Sequence, residues 1–271
     1  MSLVERVEQV RGWAKALGLP LHPDFPEFVD EGHCLSVDVE QGSPEWALLR
    51  CGLPTTSALN RIITETRLEY SKSAHPYIAE LRVETRFGLP KNWGETDWTV
   101  RGHKLEPKAR RWYESERTLM VRQVGFLMSK DGSEGGSPDG LVGDDGLVEI
   151  KCFGADKHER CLMGLEEVVT KSQAQGLLRI TGRSWVDMLA YHEASQPRLY
   201  RVERDEDFIG ALDEHMRTFK ADRAKIDKRM AMIGTARIDD SLEKAELRAE
   251  LEASLDAEKV VDGMYGQLEA L

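Results

Sequence analysis

The sequence lacks the features that mark a membrane protein, a secreted disulfide-linked domain or a zinc-binding domain. No apolar run approaches the roughly 18 residues that a membrane span requires. We expect the amphipathic, partly acidic N-terminal stretch to be a surface helix rather than a signal peptide. The four cysteines, at positions 34, 51, 152 and 161, include no CxxC pair. Their spacing argues against a zinc site or a disulfide framework and favours a reducing cytoplasm.

The chain also lacks an excess of positive charge. Its net charge of −11 at first sight argues against a nucleic-acid partner. However, residues 235–271 alone carry four basic and ten acidic side chains, so the rest of the chain is only mildly acidic. Carboxylates that bind a metal ion would add negative charge that the ion offsets. The overall acidity is therefore weak evidence against DNA binding.

The pattern of apolar residues predicts an α/β fold. Helices are expected at residues 2–18, from Ser43 onward, and at 55–63, 76–87, 102–118, 168–181 and 205–233. Strands are expected at residues 35–39, 121–128, 141–142, 146–152, 185–192 and 199–202. This order indicates a mixed central β-sheet flanked by helices. We divide the chain into an N-terminal helical extension (1–34), a central domain (35–234) and an acidic helical C-terminal extension (235–271).

Two nearby segments carry side chains that suit metal-dependent chemistry. Asp139 lies in the turn sequence Pro-Asp-Gly, and Glu149 and Lys151 lie on the following apolar strand. A hairpin with Gly143 and Gly146 at its bend would bring the two carboxylates together, where they repel unless a divalent cation neutralises them. Strand alternation places Lys151 on the same side as Glu149. The pattern predicts a Mg²⁺-dependent phosphodiesterase site.

Each of these elements, taken alone, also fits a purely structural role. The Asp139 side chain could serve only to satisfy the backbone of its turn. Glu149 and Lys151 could form a cross-strand ion pair on the polar face of an edge strand. Their combination favours the metal site.

The hairpin run SPDGLVGDDGLVEIKC resembles the active-site hairpin of the lambda exonuclease family, the YqaJ-type viral recombinases of the PD-(D/E)xK nuclease superfamily. Other segments resemble the same family in the same order: Glu40-Gln41-Gly42 with Trp46 and Arg50, Gly102 to Glu106, Gln173 with Gln175, and residues 202–206. The resemblance covers about residues 35–234 and implies a restriction-endonuclease-like core. The central domain would then be the exonuclease domain.

The resemblance implies a role for each matching residue of the site. Asp139, Glu149 and the Ile150 carbonyl would bind Mg²⁺, with Mn²⁺ as a possible substitute, and Glu106 would hold a second metal ion or its water. Lys151 would activate or orient the attacking water and offset charge in the transition state. Gln173 would position the lysine or the water.

A second group of residues resembles the family's pocket for a 5′-terminal phosphate. It consists of Arg50, Ser57 and Lys157. Arginine offers a bidentate fork to phosphate, whereas lysine, which here replaces the family's arginine at the third position, keeps the charge without the fork. Strict selectivity for a 5′-phosphate is therefore an open question at the level of sequence.

The resemblance implies a metal-dependent 5′→3′ double-strand DNA exonuclease that releases 5′-mononucleotides and leaves 3′ overhangs for phage-type recombination. It further implies a homotrimer acting on double-stranded DNA ends with a single-strand annealing protein as partner. The setting would be the cytoplasm of a bacterial host that carries the phage or prophage. Two alternatives stay open: a structure-selective endonuclease with the same metal site, and a catalytically degenerate DNA-end-binding protein.

Overall fold

A computed structural model describes residues 3–22, 24–88, 97–166 and 168–232. The expected C-terminal extension, residues 235–271, lies outside these described residues. The described α-helices are α1 (Leu3–Leu17), α2 (Pro44–Arg50), α3 (Ala74–Phe87), α4 (Asp97–Arg117), α5 (Ala155–Leu162), α6 (Lys171–Thr181) and α7 (Glu206–Met232). A 3₁₀ helix spans Thr56–Arg61. The described strands are β1 (Val29–Asp30), β2 (Cys34–Val37), β3 (Val121–Arg122), β4 (Phe126–Ser129), β5 (Gly135–Gly136), β6 (Gly140–Val142), β7 (Gly146–Cys152), β8 (Trp185–Tyr191) and β9 (Arg198–Glu203).

The strands form two sheets. The larger has the order β3-β6-β7-β8-β9 and is mixed, because β7 and β8 run parallel while its other pairs are antiparallel. The smaller is antiparallel throughout, in the order β1-β2-β4-β5. The expected mixed α/β architecture is thus confirmed, and the second sheet is an addition to it. Among the described helices, none combines the length and apolar character needed to cross a bilayer.

Strand β7 lies at the centre of the larger sheet, and its alternation decides which side chains face which helix. Leu147 points into a cluster that contains Leu177 and Leu178 of α6. Val148 and Ile150 point the other way, against Ala109 and Tyr113 of α4. Glu149 and Lys151 share the parity of Leu147, so they face the side that α6 covers. The two helices therefore sandwich a strand that carries charge on one face.

The segment expected to form one strand at residues 121–128 forms two strands in different sheets. Strand β3 belongs to the larger sheet and β4 to the smaller. Gly125 lies between them, where a Cβ atom would come within 2.0 Å of the Val39 carbonyl oxygen. A close crossing of backbones interrupts the strand at this point, and only glycine fits it.

Several element boundaries follow from caps. Ser43 caps α2 as expected, because its side chain accepts a hydrogen bond from the Trp46 N–H, with Pro44 in the first turn. Helix α6 begins at Lys171 rather than at 168, since Thr170 is its N-cap and accepts from the Gln173 N–H. Strands β1 and β5 and helix α5 were not expected. The helix expected at 55–63 is the 3₁₀ helix.

The first and last described helices pack into the body of the protein. Val10 and Trp13 of α1 share a core cluster with Leu48 and Leu49 of α2. Helix α7 packs against the 3₁₀ helix and α3 through a cluster that includes Phe219. The domain boundary placed after residue 34 stays a prediction, and β1, which lies before it, pairs with β2.

Candidate active site

The β6–β7 hairpin brings Asp139 and Glu149 together. Gly140 pairs with Val148 in the antiparallel ladder, so Asp139 and Glu149 are the next opposed positions at the open end of the hairpin. The Asp139 carboxylate accepts a hydrogen bond from the Ile150 N–H, which fixes it against the strand. Glu149 is only 1% exposed and Asp139 only 9%. The turn-and-strand arrangement expected from the sequence thus yields two buried, adjacent carboxylates.

Two donors from different elements meet at one oxygen of Glu149. Lys151 Nζ lies 2.7 Å from Glu149 Oε1, and Gln173 Nε2 donates to the same oxygen over 2.7 Å. Gln173 reaches it from the first turn of α6, on the side predicted by the alternation of β7. The second oxygen, Glu149 Oε2, is buried and has no hydrogen-bond partner among the described residues. Because a buried, unpaired carboxylate oxygen is costly, this atom calls for an additional positive partner.

The electrostatics of the group reflect the burial of like charges. Burial raises the pKa of Asp139 to about 6, with Lys151 opposing the rise and Glu106 adding to it. Burial likewise raises the pKa of Glu149 to about 7, again against the effect of Lys151. Although burial disfavours its charge, the neighbouring carboxylates of Glu149 and Asp139 raise the pKa of Lys151 above its ordinary value. One ammonium therefore faces two carboxylates among the described residues, and the more distant charge of Arg110, which also acts on Asp139, is paired with Glu106.

Glu106 lies on α4 and takes part in this group at longer range. Its carboxylate accepts a hydrogen bond from Arg110, four residues on, and its charge acts on Asp139 and Lys151. The described residues contain no cluster of three or more His, Cys, Asp or Glu side chains arranged to hold a metal ion. The structure therefore brings Asp139 and Glu149 together, while Glu106 stands beside them in an ion pair.

The donor set suits a hard divalent cation. Mg²⁺ and similar ions prefer carboxylate and carbonyl oxygens. Glu149 Oε2 is a carboxylate oxygen that has no hydrogen-bond partner among the described residues. The N–H of Ile150 is bound to Asp139. A role for the carbonyl oxygen of Ile150 stays a prediction.

Two further residues hold the turn that carries Asp139, and their roles were not foreseen. Gln41 Nε2 donates to the Pro138 carbonyl over 3.1 Å and also to the Val124 carbonyl. Trp46 Nε1 donates to Ser137 Oγ over 2.8 Å. Both residues belong to the segment of Glu40-Gln41-Gly42, Trp46 and Arg50 that resembles the family, so the sequence singled them out. Their hydrogen-bond partners are visible only in the folded chain.

The residues expected at a 5′-phosphate pocket divide into two groups. Arg50, at the end of α2, places its guanidinium 4.0 Å from the centre of the Trp46 ring. Burial lowers its pKa, an effect that the charges of Tyr77 and Glu84 oppose. Ser57 is exposed in the first turn of the 3₁₀ helix, with its Oγ 3.3 Å from Thr55 Oγ1. Thr55 forms a β-bridge with Gly135, just before the turn that carries Asp139. Arg50 and Ser57 therefore both lie near the turn that carries Asp139. Arg50 contacts Trp46, which is bonded to Ser137 of that turn, and Ser57 contacts Thr55, which pairs with Gly135 just before it.

Lys157 stands apart from this pair. It lies on α5, where its ammonium is 3.2 Å from Glu166 and 4.3 Å from the centre of the Phe153 ring. Within the described part of the chain, no contact joins it to Arg50 or Ser57. Whether it completes a phosphate pocket stays a prediction.

Comparison with known proteins places this site in a family. The YqaJ-like viral recombinase domain matches residues 45–184, just over half of the chain. The chain belongs to this family. The match includes Arg50, Glu106, the hairpin with Asp139 and Glu149, and Gln173.

Solved structures agree with the family assignment. An alkaline exonuclease from Laribacter hongkongensis is 28% identical, with a TM-score of 0.57, over 70% of this chain and 100% of its own. A structure of LHK-Exo in complex with dAMP is 29% identical, with a TM-score of 0.59, over the same shares. A comparison with curated proteins found no match. The fold is thus restriction-endonuclease-like, and the family and these structures support a nuclease of phage-recombinase type.

The raised pKa values predict how the metal-free YqaJ-like protein responds to pH. The pKa values of Asp139 and Glu149 in the folded state, about 6 and about 7, lie above the ordinary values of 3.8 and 4.5. Between these limits the folded state binds more protons than the unfolded state, so stability falls as pH rises. We expect the free energy of unfolding, measured with urea and a chelator, to be higher near pH 5.5 than near pH 8 by roughly 1–3 kcal/mol.

The control for this measurement is Glu149→Gln, which removes one of the two titrating groups and should flatten the pH dependence. An equal pH dependence in the wild-type and variant proteins would show that Glu149 does not titrate as described.

Proposed function

We propose that the protein is a Mg²⁺-dependent 5′→3′ double-strand DNA exonuclease that releases 5′-mononucleotides and leaves 3′ single-stranded overhangs. The observation that carries the proposal is the buried pair Asp139 and Glu149 beside Lys151, with one carboxylate oxygen of Glu149 unpaired. Such a group is costly to bury unless it binds a cation. Mn²⁺ would substitute for Mg²⁺, since both prefer oxygen ligands.

Asp139 and Glu149 would hold the metal ion, with help from the Ile150 carbonyl, and Glu106 would hold a second ion or its water. When bound, the ion supplies a water of lowered pKa and stabilises charge on the phosphate. Lys151 stays an ammonium at neutral pH because the pKa is raised, so it donates to the attacking water or to a phosphate oxygen and does not accept a proton. Gln173 fixes the Glu149 oxygen that Lys151 also contacts.

Recognition of the DNA end would fall to Arg50 and Ser57, with Lys157 as a third contact. Arg50 offers a guanidinium whose central carbon lies 4.0 Å from the centre of the Trp46 ring, and it forms no ion pair with a carboxylate among the described residues, although the charge of Glu84 acts on it. Ser57 adds an exposed hydroxyl in the first turn of the 3₁₀ helix. A 5′-phosphate bound between them would lie close to the turn of Asp139.

The wider setting rests on the family. We assign the exonuclease domain to residues 35–234 and propose a homotrimer, a single-strand annealing protein as partner, and a role in phage-type homologous recombination. The site of action would be the cytoplasm of a bacterial host that carries the phage or prophage. The dAMP complex of the Laribacter hongkongensis enzyme supports the release of deoxynucleoside monophosphates.

A structure-selective endonuclease is the second candidate. The observation that favours it is the position of Lys157, which pairs with Glu166. A pocket without the third cation would hold a 5′-phosphate less firmly, and an enzyme of this kind would depend less on a chain end.

Digestion of defined duplexes tests the proposal. Linear duplexes with a 5′-phosphate or a 5′-hydroxyl and a covalently closed circle are incubated with Mg²⁺, and the labelled strands are followed with time. We expect stepwise loss of the strand that carries the 5′-phosphate, about tenfold faster than its 5′-hydroxyl counterpart, with an intact circle. Asp139→Ala should abolish digestion. Nicked circles would favour the endonuclease, and no cleavage with Mg²⁺ or Mn²⁺ would leave only an end-binding protein.

Two glutamines of α6 form a matched pair for testing the role of Gln173. Gln173→Ala removes the hydrogen bond to Glu149, and we expect kcat to fall about 10- to 100-fold with little loss of stability. Gln175 is buried and bonds to the Glu203 carbonyl and the Asp205 N–H. Gln175→Ala should cost about 2–3 kcal/mol in urea unfolding and leave kcat of the folded protein within about twofold. Equal losses of kcat in both variants would contradict the assignment.

A further inference from the structure

Arginines from the first and last described helices, α1 and α7, bind the backbone on both sides of Arg50. Arg6 of α1 uses Nη2 to donate to the carbonyls of Leu49, at 2.6 Å, and Cys51, at 2.8 Å. Arg223 of α7 uses Nη1 to donate to the Gly52 carbonyl at 2.7 Å. Residues 48–52, called here the clamped segment, thus accept hydrogen bonds from two guanidinium groups.

The Arg6 contact meets a specific need of the backbone. The last carbonyls of α2 have no partner within the helix, and a cation at a helix C-terminus is favourable. Arg6 is 1% exposed, and burial lowers its pKa to about 10. In the described structure its hydrogen bonds go to main-chain carbonyls and to Gln9 rather than to a carboxylate. Its buried charge is therefore compensated by the end of α2.

The clamped segment has little freedom to take another shape. Gly52 has a φ of +71°, and a Cβ atom there would lie 2.2 Å from Thr85 Oγ1. The Gly52 N–H donates to Glu84 Oε2 over 2.8 Å, and Arg223 Nη2 donates to Thr85 Oγ1 over 3.0 Å. Helices α1, α3 and α7 all converge on this short piece of chain.

The segment matters because of what lies on it and after it. Arg50 is one of its residues, and its guanidinium stacks on Trp46, which binds the catalytic turn. Thr55, three residues beyond Gly52, donates its N–H to the Tyr77 hydroxyl and begins the 3₁₀ helix that carries Ser57. A shift of the segment would therefore move Arg50 relative to Ser57.

We propose that Arg6 and Arg223 are positioning residues that set the selectivity for a 5′-phosphate by fixing the clamped segment. Both lie outside residues 45–184, which the family domain matches, so helices α1 and α7 tune the end-binding site. This inference rests on the proposed function. Neither arginine touches substrate in this account, and both act through Arg50.

The test compares Arg6→Lys, Arg6→Met and Arg223→Lys with wild type. Steady-state kcat and KM are measured on matched duplexes with a 5′-phosphate or a 5′-hydroxyl, together with the thermal midpoint of each protein. We expect the ratio of kcat/KM for the two duplexes to fall about tenfold in Arg6→Met and less in the lysine variants. The fall should come from KM for the phosphorylated duplex, with kcat on the 5′-hydroxyl duplex within about twofold of wild type.

Arg11→Lys is the matched control, because Arg11 lies on the same helix and donates to the Phe25 carbonyl rather than to a carbonyl of residues 48–52. It should leave the ratio unchanged. If Arg6→Met does not fold, the two lysine variants decide the question. Unchanged ratios in folded variants, or equal losses on both duplexes that follow the thermal midpoint, would overturn the inference. If wild type itself shows no preference for a 5′-phosphate, the end-binding part of the proposed function fails, and the inference fails with it.

Discussion

The structure depends on one electrostatic constraint, the burial of Asp139 and Glu149 next to each other. Two carboxylates removed from water repel each other and each lose several kcal/mol of solvation. Lys151 compensates for one of them, and Gln173 contributes a neutral donor to an oxygen that Lys151 already contacts. A second positive charge is needed, and Glu149 Oε2 is the atom left to receive it. A divalent cation would satisfy this need, and it would supply the chemistry of the proposed nuclease.

The surrounding fold makes that arrangement possible. The alternation of β7 directs Glu149 and Lys151 toward α6, whose first turn contains Gln173. It directs Val148 and Ile150 toward α4. The hairpin register then sets Asp139 opposite Glu149. Helix α2 joins this centre to the residues proposed to bind the DNA end, since Trp46 contacts both Ser137, in the turn that carries Asp139, and Arg50. The residues proposed for catalysis and those proposed for recognition of the DNA end are thus parts of one connected framework.

Local patterns in the sequence predicted much of this framework. The Ser43 cap, the hairpin with its glycine bend and the strand with Glu149 depend on residues near one another in the chain, and the structure has them. Two other features depend on backbone that is distant in sequence. Residues 121–128 divide into two strands because the Gly125 backbone packs closely against Val39. Residues 135–136 form strand β5 because they pair with β4. A pair of glycines has no strand preference of its own.

The residues that hold the site were harder to foresee than those that form it. Gln41 binds a carbonyl 97 positions along the chain, and Arg6 binds carbonyls more than 40 positions away. Nothing in helical periodicity distinguishes Arg6 from the other charged residues of α1. Only the burial of its side chain at the end of α2 reveals its partners.

The most direct test of the central claim is to locate the metal ion. Crystals grown with Mn²⁺ would be measured at a wavelength where manganese scatters anomalously. The account predicts an anomalous peak between the carboxylates of Asp139 and Glu149, roughly 2.0–2.2 Å from their oxygens. The peak should be absent in an Asp139→Asn, Glu149→Gln double variant. No peak at these carboxylates, in crystals of a protein that digests DNA with the same metal, would contradict it.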